Sequence, residues 1–303
     1  MKNIIAAAVL LIAGTLNAAE RYVPDYLNDI SVTVRAELNY QKSEGSGSLF
    51  VREVGDKNKT FAWTAGHVVS HLKKIEETIV AGKPSKKVVF NNPKLVRELR
   101  NKDGRRTGEV VVDAKVIRYS PADKNDLALL LILSEDFKSA SSVEFLPKAS
   151  PLTRIGSHVW HCGSLLGSGN NGEGSGHNSI TDGVLSAHGR ILFKVPFCQT
   201  TAPAYPGSSG GIIANAKGKY VGMLVRGAGS DFNLCVPVAR MWKWSRDNGV
   251  EWAMNPTLKV TQEDIDKLPI EGPIASGGGK EKDAGKLKNY PFMIRETIQK
   301  VER

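Results

Sequence analysis

The sequence predicts an all-β protein, and three observations carry that expectation. Short runs rich in Val, Ile, Leu, Phe and Tyr recur along the chain, bounded by Gly, Asn, Asp and Pro. Helical periodicity is sparse until Met241-Trp242-Lys243-Trp244. With 303 residues, 41% of them hydrophobic and 24% charged, the chain can bury a substantial core, and two barrels of roughly 100 residues each fit comfortably.

The amino terminus reads as an export signal. Met1-Lys2-Asn3 is short and basic, residues 4–16 are apolar, and Asn17-Ala18-Ala19 supplies small residues at a cleavage site. We expect residues 1–18 to be removed and the product to be periplasmic or extracellular. The apolar segment is too short for a good membrane span, and no later run reaches about 18 uninterrupted apolar residues, so no span is expected. No cysteine follows the cleavage site at once, which gives no reason to expect a lipid anchor.

Expected strands then follow in order at 31–35, 48–51, 61–63, 87–90 and 109–112, and later at 158–160, 191–195, 220–225 and 234–238. The strand Phe61-Ala62-Trp63 runs into Thr64-Ala65-Gly66-His67-Val68-Val69, which places a histidine at a strand end, before a helix-like stretch at 71–75. Asp126 opens Asp126-Leu127-Ala128-Leu129-Leu130-Leu131-Ile132-Leu133, a run so apolar that a core strand is expected. A carboxylate at the mouth of such a strand is half buried and needs a partner, which a histidine ring N–H would supply. Asp123, three residues earlier, is the competing acid, but it sits in a polar turn with no apolar run behind it.

Pro203-Ala204-Tyr205-Pro206-Gly207-Ser208-Ser209-Gly210-Gly211-Ile212-Ile213 is the most informative stretch. Nucleophilic serine chemistry needs an exposed hydroxyl, a base and backbone N–H groups aimed at the attacked carbonyl oxygen. Glycines on both sides of a serine permit that geometry. A Gly/Ser turn between strands is the plain alternative, and Gly-x-Ser-Gly-Gly arises by chance in roughly one chain in a hundred of this length. His67 and Asp126 upstream raise the signal well above that.

In motif and in order, His67, Asp126 and Ser209 resemble the triad of the chymotrypsin-like (trypsin-like) serine endopeptidases; the orders of subtilisin-like and α/β-hydrolase enzymes differ. Residues 178–190 and Phe197-Cys198-Gln199-Thr200-Thr201-Ala202 narrow the likeness to the bacterial Deg-type (HtrA) proteases, over roughly residues 30–245. The resemblance implies two six-stranded antiparallel Greek-key barrels with the active site between them and a C-terminal helix. It implies Ser209 as nucleophile, His67 as base, Asp126 as its orienting acid, and the N–H groups of Gly207 and Ser209 as oxyanion hole. Ser208 takes the variable position and is expected to be dispensable. The pocket for the residue before the scissile bond would involve Pro203, Val225, Arg226, Gly227 and Asn233. Pro203 stands where trypsin-like pockets carry an acid, so a small or apolar residue is expected there, with Arg226 favouring an acidic side chain nearby.

Export makes Cys162, Cys198 and Cys235 eligible for disulfides, and their odd number leaves at least one unpaired in the monomer. The resemblance places Cys198 and Cys235 on neighbouring strands as the favoured pair; three free, buried thiols are the alternative. His158-Val159-Trp160-His161-Cys162 invites a metal reading, but strand alternation puts His161 on the face opposite His158 and Cys162. We expect no metal and no cofactor.

The net charge of +10 favours acidic surfaces. The basic residues concentrate at Lys83, Lys86, Lys87, Arg97, Arg100, Lys102, Arg105 and Arg106, which reads as a solvated face. No basic-aromatic recognition motif accompanies them, so polypeptide substrates rather than nucleic acid are expected. The oligomeric state is not legible. Residues 19–254 form the expected protease domain, and 255–303 an extension with flexible linkers expected at 269–273 and 276–280. Ile294, Ile298 and Val301 follow there at helical spacing. About fifty residues after Trp252 are too few for the PDZ domain that Deg-type proteases usually carry. The competing function class is an inactive protease-fold binding protein, or a basic envelope-binding module; an intact His67, Asp126 and Ser209 argues for the enzyme.

Overall fold

A computed structural model describes residues 21–80, 83–165, 177–227 and 231–272. The signal sequence, the second linker and the helical spacing near the carboxyl terminus lie outside the described residues. A short helix α1 (Val23–Asp29) leads into strands β1 (Ser31–Leu38), β2 (Gln41–Val54) and β3 (Lys57–Thr64). One helical turn, α2 (Gly66–Val69), precedes a hairpin of β4 (Lys73–Val80) and β5 (Lys83–Phe90), then β6 (Lys94–Arg100), β7 (Arg106–Ser120) and β8 (Leu127–Ile132). The second half holds β9 (His158–Leu165), β10 (His177–Leu192), β11 (Val195–Thr200), β12 (Ile212–Asn215), β13 (Tyr220–Gly227) and β14 (Asn233–Pro237), followed by α3 (Val238–Asp247) and α4 (Gln262–Asp266).

Two closed six-stranded barrels result, β1-β2-β3-β8-β7-β6 and β10-β11-β14-β13-β12-β9, with every strand pair antiparallel. Both barrels and the C-terminal helix match the expected fold. All six residues of β8 are buried, as an uninterrupted apolar run requires, because such a strand must be covered on both faces. Phe50 stacks on Phe61 with ring centroids 5.4 Å apart. Trp63 meets Trp244 of α3 edge-on at 5.9 Å, so the helix that closes the second half packs on the first barrel. Each such aromatic contact contributes about 1 kcal/mol beyond area burial.

Three expectations need correction. The stretch 71–75 is helical only at its start: a 3-10 helix at Ser70–Leu72 gives way to β4 at Lys73, and the β-branched Ile75 and Thr78 suit a strand better than a helix. The run 191–195 is not one strand: Ile191 and Leu192 end β10, Val195 opens β11, and between them Phe193 at φ 52° and Lys194 at φ 61° make the turn. Neither residue belongs to the Gly/Asn/Asp set that advertises such a turn. The described part of the first linker is also pinned: buried Arg118 donates to the carbonyls of Pro269 and Gly272, the Tyr119 N–H donates to Ile270 O, and Lys73 pairs with Glu271.

Candidate active site

His67 belongs to α2, directly after β3, and its side chain keeps 30% of its exposure, enough for the ring edge to meet a substrate. Asp126 lies in the turn before β8 and is wholly buried, with a left-handed φ of 54° that an aspartate tolerates better than most residues. The turn is built by hydrogen bonds from the N–H groups of Lys124 and Asp126 to Pro121 O and from Asn125 N–H to the Ser120 hydroxyl. Asp126 Oδ1 accepts from the His67 backbone N–H at 2.9 Å, and both carboxylate oxygens lie 3.0 Å from His67 Nδ1. The acid thus fixes backbone and ring together, which directs Nε2 away from the carboxylate. Asp123 is exposed.

Ser209 is half buried in the loop before β12. Its hydroxyl donates to Val225 O at 3.4 Å, a long bond. Gly207 holds φ 95° and Gly210 φ 91°, both in the left-handed region. A Cβ on Gly210 would stand 2.0 Å from Ser46 O, so glycine there is a steric requirement. Gly210 N–H donates to Leu224 O, Gly211 N–H to Ser208 O and Ser208 N–H to Tyr205 O. Among the described residues, the N–H groups of Gly207 and Ser209 donate to no protein acceptor.

Two supports were not foreseen. Ser46 of β2 donates through Oγ to Gly207 O at 2.7 Å, accepts from Ser164 N–H, and sends its own N–H to Ser209 O at 2.7 Å. The first barrel thereby clamps both ends of the Gly207-Ser209 turn. The only sequence signal was Gly45-Ser46-Gly47-Ser48, small residues in a strand that was expected to begin at Ser48. Ser208 is 2% exposed and its hydroxyl accepts from Tyr205 N–H, so the variable position also braces the loop.

The expected pocket residues fall on the nearby segments. Pro203 O accepts from the Thr181 hydroxyl. Val225 supplies the carbonyl under Ser209. Asn233 is fully buried, donates through Nδ2 to Ala202 O, and sets its Oδ1 beside Gly227. Arg226 turns toward the first barrel, with Nη2 3.3 Å from Ala122 O and 3.7 Å from Asp126 Oδ2.

Ionisable groups surround Asp126. Burial lowers Arg240 of α3 to about 10, an effect that the Asp126 charge opposes. Burial raises Tyr119 to about 12, helped by the negative charges of Glu271, Asp126 and Asp123. Beneath the loop that carries Ser209, His161 is wholly buried with Nδ1 3.1 Å from Ile212 O, and burial pushes it down to about 4. His158 points outward to Asp182, so the two histidines of β9 serve different partners. Cys198 and Cys235, directly opposed on β11 and β14, form a disulfide with Cα atoms 5.2 Å apart, while Cys162 is free and buried.

The family model described as "Trypsin-like peptidase domain" matches residues 45–223. Curated relatives include a "Probable periplasmic serine endoprotease DegP-like" of Pseudomonas fluorescens, 32% identical over 118 residues, covering 38% of this chain and 25% of the relative. A "Serine protease Do-like HtrA" of Lactococcus lactis is 29% identical over 212 residues, covering 66% of this chain and 48% of the relative. The matched part of the chain thus spans a quarter to a half of those relatives. A solved serine endoprotease from Yersinia pestis aligns with TM-score 0.49 and 18% identity over 73% of this chain and 63% of its own; that likeness carries no weight beside the family match. No described helix is long and apolar enough to cross a membrane. The match from 45 to 223 takes in His67, Asp126 and Ser209 and most of both barrels, and on it the chain belongs to the trypsin-like peptidase family.

Proposed function

We propose that the protein is an exported serine endopeptidase that cleaves polypeptides through Ser209, His67 and Asp126. The observation that carries this reading is the His67-Asp126 pair. A wholly buried carboxylate bonded to both the ring Nδ1 and the backbone N–H of one histidine leaves Nε2 as the ring's acceptor. Ser209 then attacks the scissile carbonyl carbon as Nε2 takes the hydroxyl proton. The tetrahedral oxyanion accepts hydrogen bonds from Gly207 N–H and Ser209 N–H, donors that no protein acceptor occupies among the described residues. Collapse breaks the C–N bond, the imidazolium returns its proton to the amine, and water repeats the cycle on the acyl-enzyme. The hydroxyl first leaves Val225 O and rotates toward His67; such bonds often tighten only with substrate present.

A residue without charge before the scissile bond fits a pocket with Pro203 in place of an acid. Periplasmic or extracellular location rests on the amino-terminal signal and on the word "periplasmic" in the names of the relatives. The resting contact of Ser209 with Val225 O favours a second reading, a protease fold that binds without cleaving. Hydrolysis of unfolded casein by the wild type, abolished in Ser209→Ala and retained in Ser208→Ala, is the expected result for the enzyme. Equal hydrolysis by wild type and Ser209→Ala would reject it.

A further inference from the structure

We propose that Arg226 is a positioning residue for the His67-Asp126 pair, its charge acting from the opposite barrel on the buried carboxylate and on the turn that carries it. This rests on the catalytic reading above. The Asp126 carboxylate is wholly buried, and its two oxygens share three contacts: His67 N–H, His67 Nδ1, and Arg226 Nη2 at 3.7 Å. The third is an ion pair rather than a hydrogen bond, and it comes from the opposite barrel. The same Nη2 lies 3.3 Å from Ala122 O, in the turn that delivers Asp126. One guanidinium therefore holds both the acid's charge and the acid's loop.

The strand explains the direction. On β13 Leu224 pairs with Cys235 and Arg226 with Leu234, so Val225 is an extra residue in the ladder. A bulge of this kind bends the strand and re-aims the next side chain. Val225 thereby turns its carbonyl to the Ser209 hydroxyl, while Arg226 passes beside the Phe193 ring, 5.4 Å from its centroid, and reaches the turn of the first barrel that holds Asp126. Its Nε is buried with no partner, so the two assigned polar contacts of the guanidinium are those made by Nη2.

The electrostatic consequence follows from sign. A positive charge beside Asp126 offsets part of the carboxylate's pull on a proton at His67. The other ionisable groups around Asp126 are the exposed Lys124 and Asp123 of the same turn, Arg240 of α3, which donates to Asn125 O there, and Tyr119 of β7, on which Asp126, Asp123 and Glu271 act. Removing Arg226 leaves the Arg240 charge on the same turn.

The test is the rate of labelling of the full chain by an uncharged dialkyl fluorophosphonate from pH 5 to 9, which needs no peptide substrate. In Arg226→Gln the acid limb is expected to move to higher pH by about half a unit, with Arg226→Lys restoring most of the shift. Arg226→Met replaces Gln if circular dichroism shows that Gln unfolds the chain. A charge-removing variant with the wild-type midpoint overturns the proposal, as does a Lys variant that behaves like Gln. An effect confined to KM for peptides with an acidic side chain would make Arg226 a substrate contact instead and also overturns it. If the wild type is not labelled at all, the catalytic reading falls first; a labelled wild type with an unshifted variant sinks only the role of Arg226.

Discussion

His67 Nδ1 lies 3.0 Å from both carboxylate oxygens of Asp126, while the backbone N–H of the same histidine donates to Oδ1 at 2.9 Å. An acid that binds main chain and ring at once sets the position of the helical turn as well as the tautomer. Asp126→Asn tolerates the left-handed φ but presents an amide N–H₂ where donors already converge. We expect the chain to fold and the rate of Ser209 modification to fall on the order of 10⁴-fold. A loss below tenfold, measured by labelling kinetics, would show that the carboxylate is not needed.

Gly210 sits at φ 91°, with the space for a Cβ taken by Ser46 O at 2.0 Å. Gly210→Ala should destabilise the chain by about 3 kcal/mol or more, since both backbone strain and a backbone clash must be relieved. Urea unfolding that gives less than about 1 kcal/mol would mean that the loop adapts freely.

Ser46→Ala removes the donor to Gly207 O and the acceptor for Ser164 N–H. Two buried groups lose partners, at a cost of about 1–3 kcal/mol. The labelling rate should fall as well, because the same serine holds the turn that carries Ser209. A variant with lowered stability but wild-type labelling would confine Ser46 to a structural role.

Acid should loosen the molecule through His161, which is buried as the neutral ring and held down to about 4 from the usual 6.5. The unfolded chain takes up this proton at higher pH than the folded one. Stability is therefore full above about pH 6.5 and declines as pH falls toward 4, by about 3 kcal/mol over that window. In His161→Leu the denaturant midpoint should lose this part of its pH dependence; an unchanged slope between pH 7 and 4 would assign the effect to other groups.

The Cys198-Cys235 bridge closes a separation of 37 residues. Chain-entropy reasoning gives about 4 kcal/mol of stabilisation. Thiol titration under denaturing, non-reducing conditions should return one thiol, from Cys162; three thiols would remove the bridge from the account.

The barrels were legible because their strands advertise themselves. The apolar run after Asp126 cannot be solvated on either face, and β1 and β13 carry equally plain β-rich runs. His67, Asp126 and Ser209 stood out as candidates because three motifs in one order constrain each other. What escaped was tertiary. The reach of Arg226 to Ala122 and Asp126 escaped because nothing in Val225-Arg226-Gly227 announces a bulge at Val225. Ser46 looked like a small residue in a glycine-rich stretch, since its partners Gly207 and Ser164 lie more than a hundred positions away. The turn at Phe193-Lys194 escaped because left-handed dihedrals there fall on residues that rarely adopt them, and the pinning of Pro269-Gly272 depends on Arg118, buried far back in β7.

The most direct test of the central claim is to locate a fluorophosphonate adduct by peptide mass spectrometry in the wild type, Ser209→Ala and His67→Ala. The account predicts a single adduct on Ser209 in the wild type, none in Ser209→Ala, and labelling slowed by at least a thousandfold in His67→Ala. An adduct on Ser208, or equal labelling with and without His67, would contradict it.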